Sequence, residues 1–196
     1  MQLSQDQEQV ASLIFKWLKN GCNPKFITLG GYAGTGKSTL IAYIKTQLDK
    51  ASKDKIKVGF CSYTGRAVQN LKVKLSEAKC LNSRDTVSTI HGLIYKPIEN
   101  SAGVIIGWQK KDTIDLQLII VDEASMIDEF IWNDLLSYGV PILAVGDHGQ
   151  LPPIRGSFNL MQKPLLRLEE IHRQEKDNPI IEVSILARKE GAIEGK

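Results

Sequence analysis

Residues 26–44 read Phe26-Ile27-Thr28-Leu29-Gly30-Gly31-Tyr32-Ala33-Gly34-Thr35-Gly36-Lys37-Ser38-Thr39-Leu40-Ile41-Ala42-Tyr43-Ile44. The apolar run at 26–29 predicts a buried strand and residues 38–44 continue as a helix, so the glycines between them fall at a strand-to-helix turn. Residues 31–38 have the G-x-x-x-x-G-K-[ST] spacing of a phosphate-binding loop. Glycine lets the main chain approach phosphate oxygens closely, and the N–H groups that open the helix favour an anion. Gly31, Ala33, Gly34, Thr35, Gly36, Lys37, Ser38 and Thr39 are the candidate phosphate-binding residues. Lys37 brings an ammonium to the β/γ-phosphates and Ser38 offers a hydroxyl to Mg²⁺. A glycine turn beside a surface lysine is the plainer reading, and the flanking strand and helix disfavour it.

A second apolar run, Leu118-Ile119-Ile120-Val121, ends in Asp122-Glu123. Loops after parallel strands line the ligand crevice, so Asp122 is the candidate Mg²⁺ ligand beside Ser38. Glu123 is the candidate general base, or orienter, of the attacking water. The plainer reading is an acidic helix start that complements the macrodipole.

The rest of the chain alternates. Val10, Leu13, Ile14, Trp17 and Leu18 mark an amphipathic first helix over residues 4–20. Residues 56–62 read as a strand, Val68, Leu71 and Leu75 as a helix, and residues 86–94 as the start of another helix. Residues 127–137 read as a helix, 141–145 and 165–168 as strands, and Pro179 opens a last helix. Residues 95–113, with Pro97, Gly103 and Gly107, interrupt the pattern and predict a small β-hairpin. Repeated strand–helix units imply an α/β fold with a mainly parallel sheet covered on both faces.

Length and composition agree with one such domain. The chain has 196 residues, 42% of them hydrophobic, and a net charge of +3, which permits a polyanionic partner without requiring one. Cys22, Cys61 and Cys80 lack metal-site or disulfide-framework spacing and suit core packing in a reducing compartment. No signal-peptide pattern or membrane-length apolar run is present, so a cytoplasmic protein without a membrane role is expected.

The ordered motifs resemble the first motor domain of superfamily 1 DNA helicases of the RecD/Dda type. The resemblance runs through Leu3-Ser4-Gln5-Asp6-Gln7, the phosphate loop, Tyr63-Thr64-Gly65-Arg66-Ala67, Thr89-Ile90-His91-Gly92 and Val121-Asp122-Glu123-Ala124-Ser125-Met126. It continues through Gly146-Asp147-His148-Gly149-Gln150-Leu151-Pro152-Pro153 and Ile171-His172-Arg173-Gln174. It implies a RecA-like P-loop NTPase fold, ATP and Mg²⁺ as cofactors, and 5′-to-3′ movement on single-stranded DNA in a bacterial or phage-infected cell. Replication or recombination proteins are the implied partners, and the oligomeric state stays open. Residues 1–94 and 114–196 correspond to motor domain 1A and 95–113 to an inserted 1B-like wedge. The second motor domain of the family is not among these residues.

By resemblance, Gln7 contacts adenine, although Ser4-x-x-Gln7 is also a capping box. Gln150 senses the γ-phosphate or orients water, and Arg173 pairs with γ-phosphate oxygens. Thr64, Arg66 and His91 are the implied DNA-backbone contacts, against helix capping for the threonine and a structural role for the histidine. In the hairpin, Trp108 is either a base-stacking aromatic or a buried one, with nearby lysines on phosphates. Two other functions remain at this level: an ATP-responsive single-strand DNA-binding module and a small-substrate phosphotransferase.

Overall fold

The structure is a computed structural model that describes residues 2–53, 56–150 and 158–170. Eight strands and five α-helices are found among the described residues. The chain begins with α1 (Gln5–Lys19), β1 (Phe26–Gly31), α2 (Lys37–Ser52), β2 (Val58–Ser62) and α3 (Gly65–Glu77). It continues with β3 (Thr86–Thr89), α4 (Ile90–Ile94) and the hairpin strands β4 (Tyr95–Glu99) and β5 (Ile105–Lys110). Then come β6 (Leu118–Asp122), a 3₁₀ turn (Ala124–Met126), α5 (Glu129–Leu136), β7 (Ile142–Gly146) and β8 (Leu166–Leu168).

Six strands form one parallel sheet in the order β3-β2-β6-β7-β1-β8. Its two faces are built from alternate residues of the same strands. On β6, Leu118 and Ile120 join the core under α1, α2 and α3, whereas Ile119 and Val121 join the core under α4 and α5. This period of two explains why the strands read as continuous apolar runs, since both faces are covered. The helix α1 packs through Val10, Ala11, Ile14 and Trp17, while Leu13 faces outward at 50% exposure.

Among the boundaries that differ from the sequence expectation, two have a local cause. Thr86–Thr89 is a strand paired with β2, and only Ile90–Ile94 is helical. Three of its four residues are β-branched and suit an extended edge. The helix expected from residue 127 starts at Glu129, because Asp128 is its N-cap and accepts from the Ile131 N–H at 2.9 Å. The helix expected at Pro179 lies outside the described residues.

The hairpin β4–β5 is a separate antiparallel pair. It is pinned where it leaves the domain: Lys111 donates through its ammonium to the Gly92 and Leu93 carbonyls at 2.8 and 2.9 Å. Lys110 pairs with Asp134 at 2.8 Å. These two lysines, expected on phosphates, thus already have protein partners. Trp108 is 54% exposed rather than buried.

Candidate nucleotide site and adjoining groove

The parallel register brings the carboxyl ends of three strands to one edge. Gly30 on β1 lies beside Gly146 on β7, and Val121 on β6 lies beside Ala144 on β7. The loops that follow surround a cleft of about 640 Å³ lined by Gly34, Gly36, Lys37, Ser38, Asp122, Glu123, Asp147 and Gln150, among others. That volume falls in the range of small-molecule sites.

The first wall is the phosphate loop. Gly34 and Gly36 have φ of 90° and 78°, backbone that other residues adopt only at a cost. A Cβ on Gly31 would stand 2.6 Å from the Thr35 hydroxyl, which donates to the Tyr32 carbonyl at 3.0 Å and fixes the loop. Gly36 is the N-cap of α2 and gives no side-chain cap, and no acidic residue occupies the first turn. The opening N–H groups of a 16-residue helix are therefore left for an anion.

Lys37 donates to the carbonyls of Gly31 at 2.6 Å and Tyr32 at 3.0 Å. Burial lowers its proton affinity, and Asp147, Asp122 and Glu123 oppose that shift. Among the described residues its charge meets neutral carbonyls and no carboxylate at contact distance, so a phosphate is a better partner than the loop.

The opposite wall carries the acids. Asp122 is 9% exposed, and its Oδ1 accepts from the Glu123 N–H at 3.0 Å. Burial, then the charge of Glu123, raises the Asp122 pKa, while that N–H, Lys74 and Lys37 pull it down. A carboxylate in this position is stabilised by added positive charge. With the Ser38 hydroxyl it forms an all-oxygen donor pair of the kind a hard divalent cation takes. Glu123 sits at φ 55°, which costs about 1–2 kcal/mol for a residue with a Cβ. Strain of this kind collects at functional sites. Gln150 accepts on its Oε1 from the Ser125 hydroxyl at 2.7 Å, so the segment after β6 orients the amide that follows β7.

Gln7 fulfils the capping box in both directions: its Oε1 accepts from the Ser4 N–H at 3.1 Å and its own N–H reaches Ser4 Oγ at 3.3 Å. Its Nε2 also donates to the Thr35 carbonyl at 3.1 Å, bracing the phosphate loop from behind. Gln7 does not line the cleft. One Nε2 hydrogen remains for any adenine contact.

The residues expected at DNA lie on the same edge of the sheet, beyond β6 at the ends of β2 and β3. Thr64 caps α3, its hydroxyl accepting from the Ala67 N–H at 3.2 Å, and Arg66 is exposed. His91 lies between Tyr63 and Tyr95, with ring centroids 6.4 and 5.5 Å away. These three rings open onto a groove shared with Trp108, Phe130 and Phe158. Arg173 and its motif, and Leu151-Pro152-Pro153, lie outside the described residues.

Sequence reasoning did not single out Lys74, Asp147 or Ser125. Asp147 and Ser125 stood inside quoted motifs without a role. Lys74 follows Leu71 by one helical turn at the rim of the apolar stripe of α3, a position that says which face it borders but not which neighbour it meets.

A family model described as AAA domain matches residues 16–155. The RecBCD enzyme subunit RecD of Buchnera aphidicola subsp. Schizaphis graminum is 36% identical over 147 residues, covering 67% of this chain and 23% of the relative. The ATP-dependent RecD2 DNA helicase of Deinococcus radiodurans is 31% identical over 170 residues, 82% of this chain and 21% of the relative. The ATP-dependent DNA helicase dda of Enterobacteria phage T4 is 26% identical over 196 residues, 93% of this chain and 42% of the relative. The chain thus spans less than half the length of these relatives. The crystal structure of Pif1 helicase from Candida albicans superposes with a TM-score of 0.56 at 22% identity, over 96% of this chain and 44% of that one, a likeness of fold.

Proposed function

The chain belongs to the AAA domain family as a superfamily 1 motor domain of the RecD/Dda type, and from that premise we propose that it binds Mg²⁺-ATP and couples its hydrolysis to 5′-to-3′ movement on single-stranded DNA. The observation that carries the proposal is the convergence of Lys37, Ser38, Asp122, Glu123 and Gln150 on one cleft from three strand ends.

The helix α2 N-terminus and Lys37 hold the polyphosphate, and the Gly34 and Gly36 backbone permits close approach. Ser38 and Asp122 would hold Mg²⁺, which when bound would neutralise charge on the phosphate oxygens. Glu123 takes or steers the proton of the attacking water, and Gln150, fixed by Ser125, positions that water. Gln7 braces Thr35 and offers its remaining amide hydrogen to adenine. Arg173 adds a planar cation at the γ-phosphate. Thr64, Arg66 and His91 grip the DNA backbone, and residues 95–113 act as the inserted 1B-like element within the motor domain formed by 1–94 and 114–196.

No described helix is long and apolar enough to cross a membrane, and the bacterial and phage organisms of the relatives support the reading of a cytoplasmic place in a bacterial or phage-infected cell. One relative is named as a RecBCD enzyme subunit, which supports recombination or replication proteins as partners. ATP turnover measured with and without single-stranded DNA tests the proposal. Turnover stimulated by DNA is expected of a motor. DNA binding without turnover would mark a binding module instead, and turnover indifferent to DNA would mark a phosphotransferase.

A further inference from the structure

The cleft has a second ammonium that the phosphate loop does not supply. Lys74, in the last turn of α3, donates through Nζ to the Ser38 hydroxyl at 3.1 Å. Ser38 is the second residue of α2, so this contact ties α3 to the rim of the phosphate loop. Lys74 is exposed and lines the cleft, and its ammonium makes no ion pair among the described residues. A lysine kept for packing would be expected to hide its stem and leave its charge in open water. This one places its charge against a hydroxyl beside the anion-binding end of α2.

The charges around it favour a role on ligand rather than on protein. Glu77, Asp122, Glu123 and Asp147 line the cleft, against two ammonium groups, Lys37 and Lys74. Among the described residues a polyphosphate entering there meets more carboxylates than ammonium groups, so a second ammonium favours its binding. We propose that Lys74 is a further nucleotide-binding residue, giving the polyphosphate a second ammonium from α3 at the Ser38 side of the phosphate loop. This rests on the nucleotide reading of the cleft. Its consequence is structural as well: α3 begins at the Thr64 cap, next to Tyr63 of the aromatic groove, and ends its run beside Ser38, so one rigid helix joins the edge of that groove to the nucleotide.

Metal and Lys74 share an interest in the Ser38 oxygen, and two cations so close repel. Lys74 therefore contributes more to nucleotide binding when metal is withheld. Titration of the full chain with fluorescent ATP, ADP and AMP, in EDTA and in Mg²⁺, tests this. In EDTA, Lys74→Ala is expected to lose about 10- to 100-fold in affinity for ATP, the usual worth of a hydrogen bond to a charged group. AMP should be nearly unaffected, Lys74→Arg should recover much of the loss, and the deficit should shrink in Mg²⁺. The side chain is exposed, so both variants should melt with the wild type. Wild-type affinity for ATP in Lys74→Ala, or an equal loss for AMP, would overturn the role of Lys74 while leaving the site intact. A wild-type chain that binds no ATP, with Lys37→Ala indistinguishable from it, would overturn the nucleotide reading and this proposal with it.

Discussion

Of the three lysines of helix α2, Lys37 and Lys45 have opposite surroundings. Lys45, two turns into the helix, is fully buried and pairs with Asp49 and, at 2.9 Å, with Asp85. Asp85 also accepts from the N–H groups of Val58 at 3.2 Å and Asn82 at 2.8 Å, so its lone pairs are spent on the fold. Among the described residues Lys37, at the first turn, donates to carbonyls alone, with the carboxylates of the cleft set back from it. A closed cluster of charges holds elements together, whereas an open one is prepared for something that comes and goes. Lys37 is half-buried and Lys45 fully buried, and what each charge meets at contact distance tells the two roles apart.

The sharpest way to break that distinction lies in the acids of the open cluster. Glu123→Gln is expected to lower ATP hydrolysis by about 10²–10⁴-fold, the usual worth of a positioned base, with ATP affinity and folding retained. Unchanged single-turnover rates would remove Glu123 from the chemistry. In the closed cluster, Lys45→Ala leaves Asp49 and Asp85 facing each other without a cation. A loss of about 3–5 kcal/mol in denaturant unfolding is expected, and a near-neutral result would show that water enters and replaces the lysine.

The groove beyond β6 should give smaller effects. Thr64→Ala and His91→Ala are expected to weaken single-stranded DNA binding by a few-fold without regard to base sequence, and affinity should fall as salt rises. Because Thr64 also caps α3, its alanine variant should lose about 1 kcal/mol of stability, and Thr64→Ser separates the cap from any DNA contact. Unchanged DNA titrations for both alanine variants would remove these residues from the track.

The smallest effect concerns His148, tilted at 50° against Tyr32 with ring centroids 4.3 Å apart and with its buried Nδ1 unpartnered among the described residues. Burial first, then the charge of Arg167, lowers its pKa below the ordinary value of 6.5. As pH falls through 6.5 the unfolded chain takes up a proton that the folded one refuses, so stability declines toward acid pH and is fully present above that value. The difference between unfolding curves at pH 7.5 and 5.5 should narrow in His148→Gln, and an unchanged difference would assign the slope to other groups.

How much of this was legible in the residues depends on whether the signal was local. The phosphate loop and the β6 end are local: strand, turn and candidate side chain lie within a few residues, and strand and turn were read at their places. Thr86–Thr89 was missed as a strand because a four-residue edge with no apolar alternation has no period to show, and its pairing with β2 is supplied from elsewhere in the chain. Gln7 could be read as a cap or as a ligand contact; only the fold shows that its second contact is the Thr35 carbonyl. Lys74 and Ser38 are brought together by helix packing, which no spacing along the chain encodes. The closed cluster was invisible for the same reason, since Lys45 and Asp85 meet only once α2 and the turn before β3 have docked.

The most direct test of the distinction between the two lysines is the affinity of Lys37→Ala for Mg²⁺-ATP, measured beside its melting temperature without ligand. A loss of about 10- to 100-fold in affinity, with unligated melting close to wild type, is the expected result for an ammonium reserved for phosphate. Wild-type affinity, or a fall in unligated stability as large as that of Lys45→Ala, would show that Lys37 serves the fold and that the cleft does not hold ATP in this way.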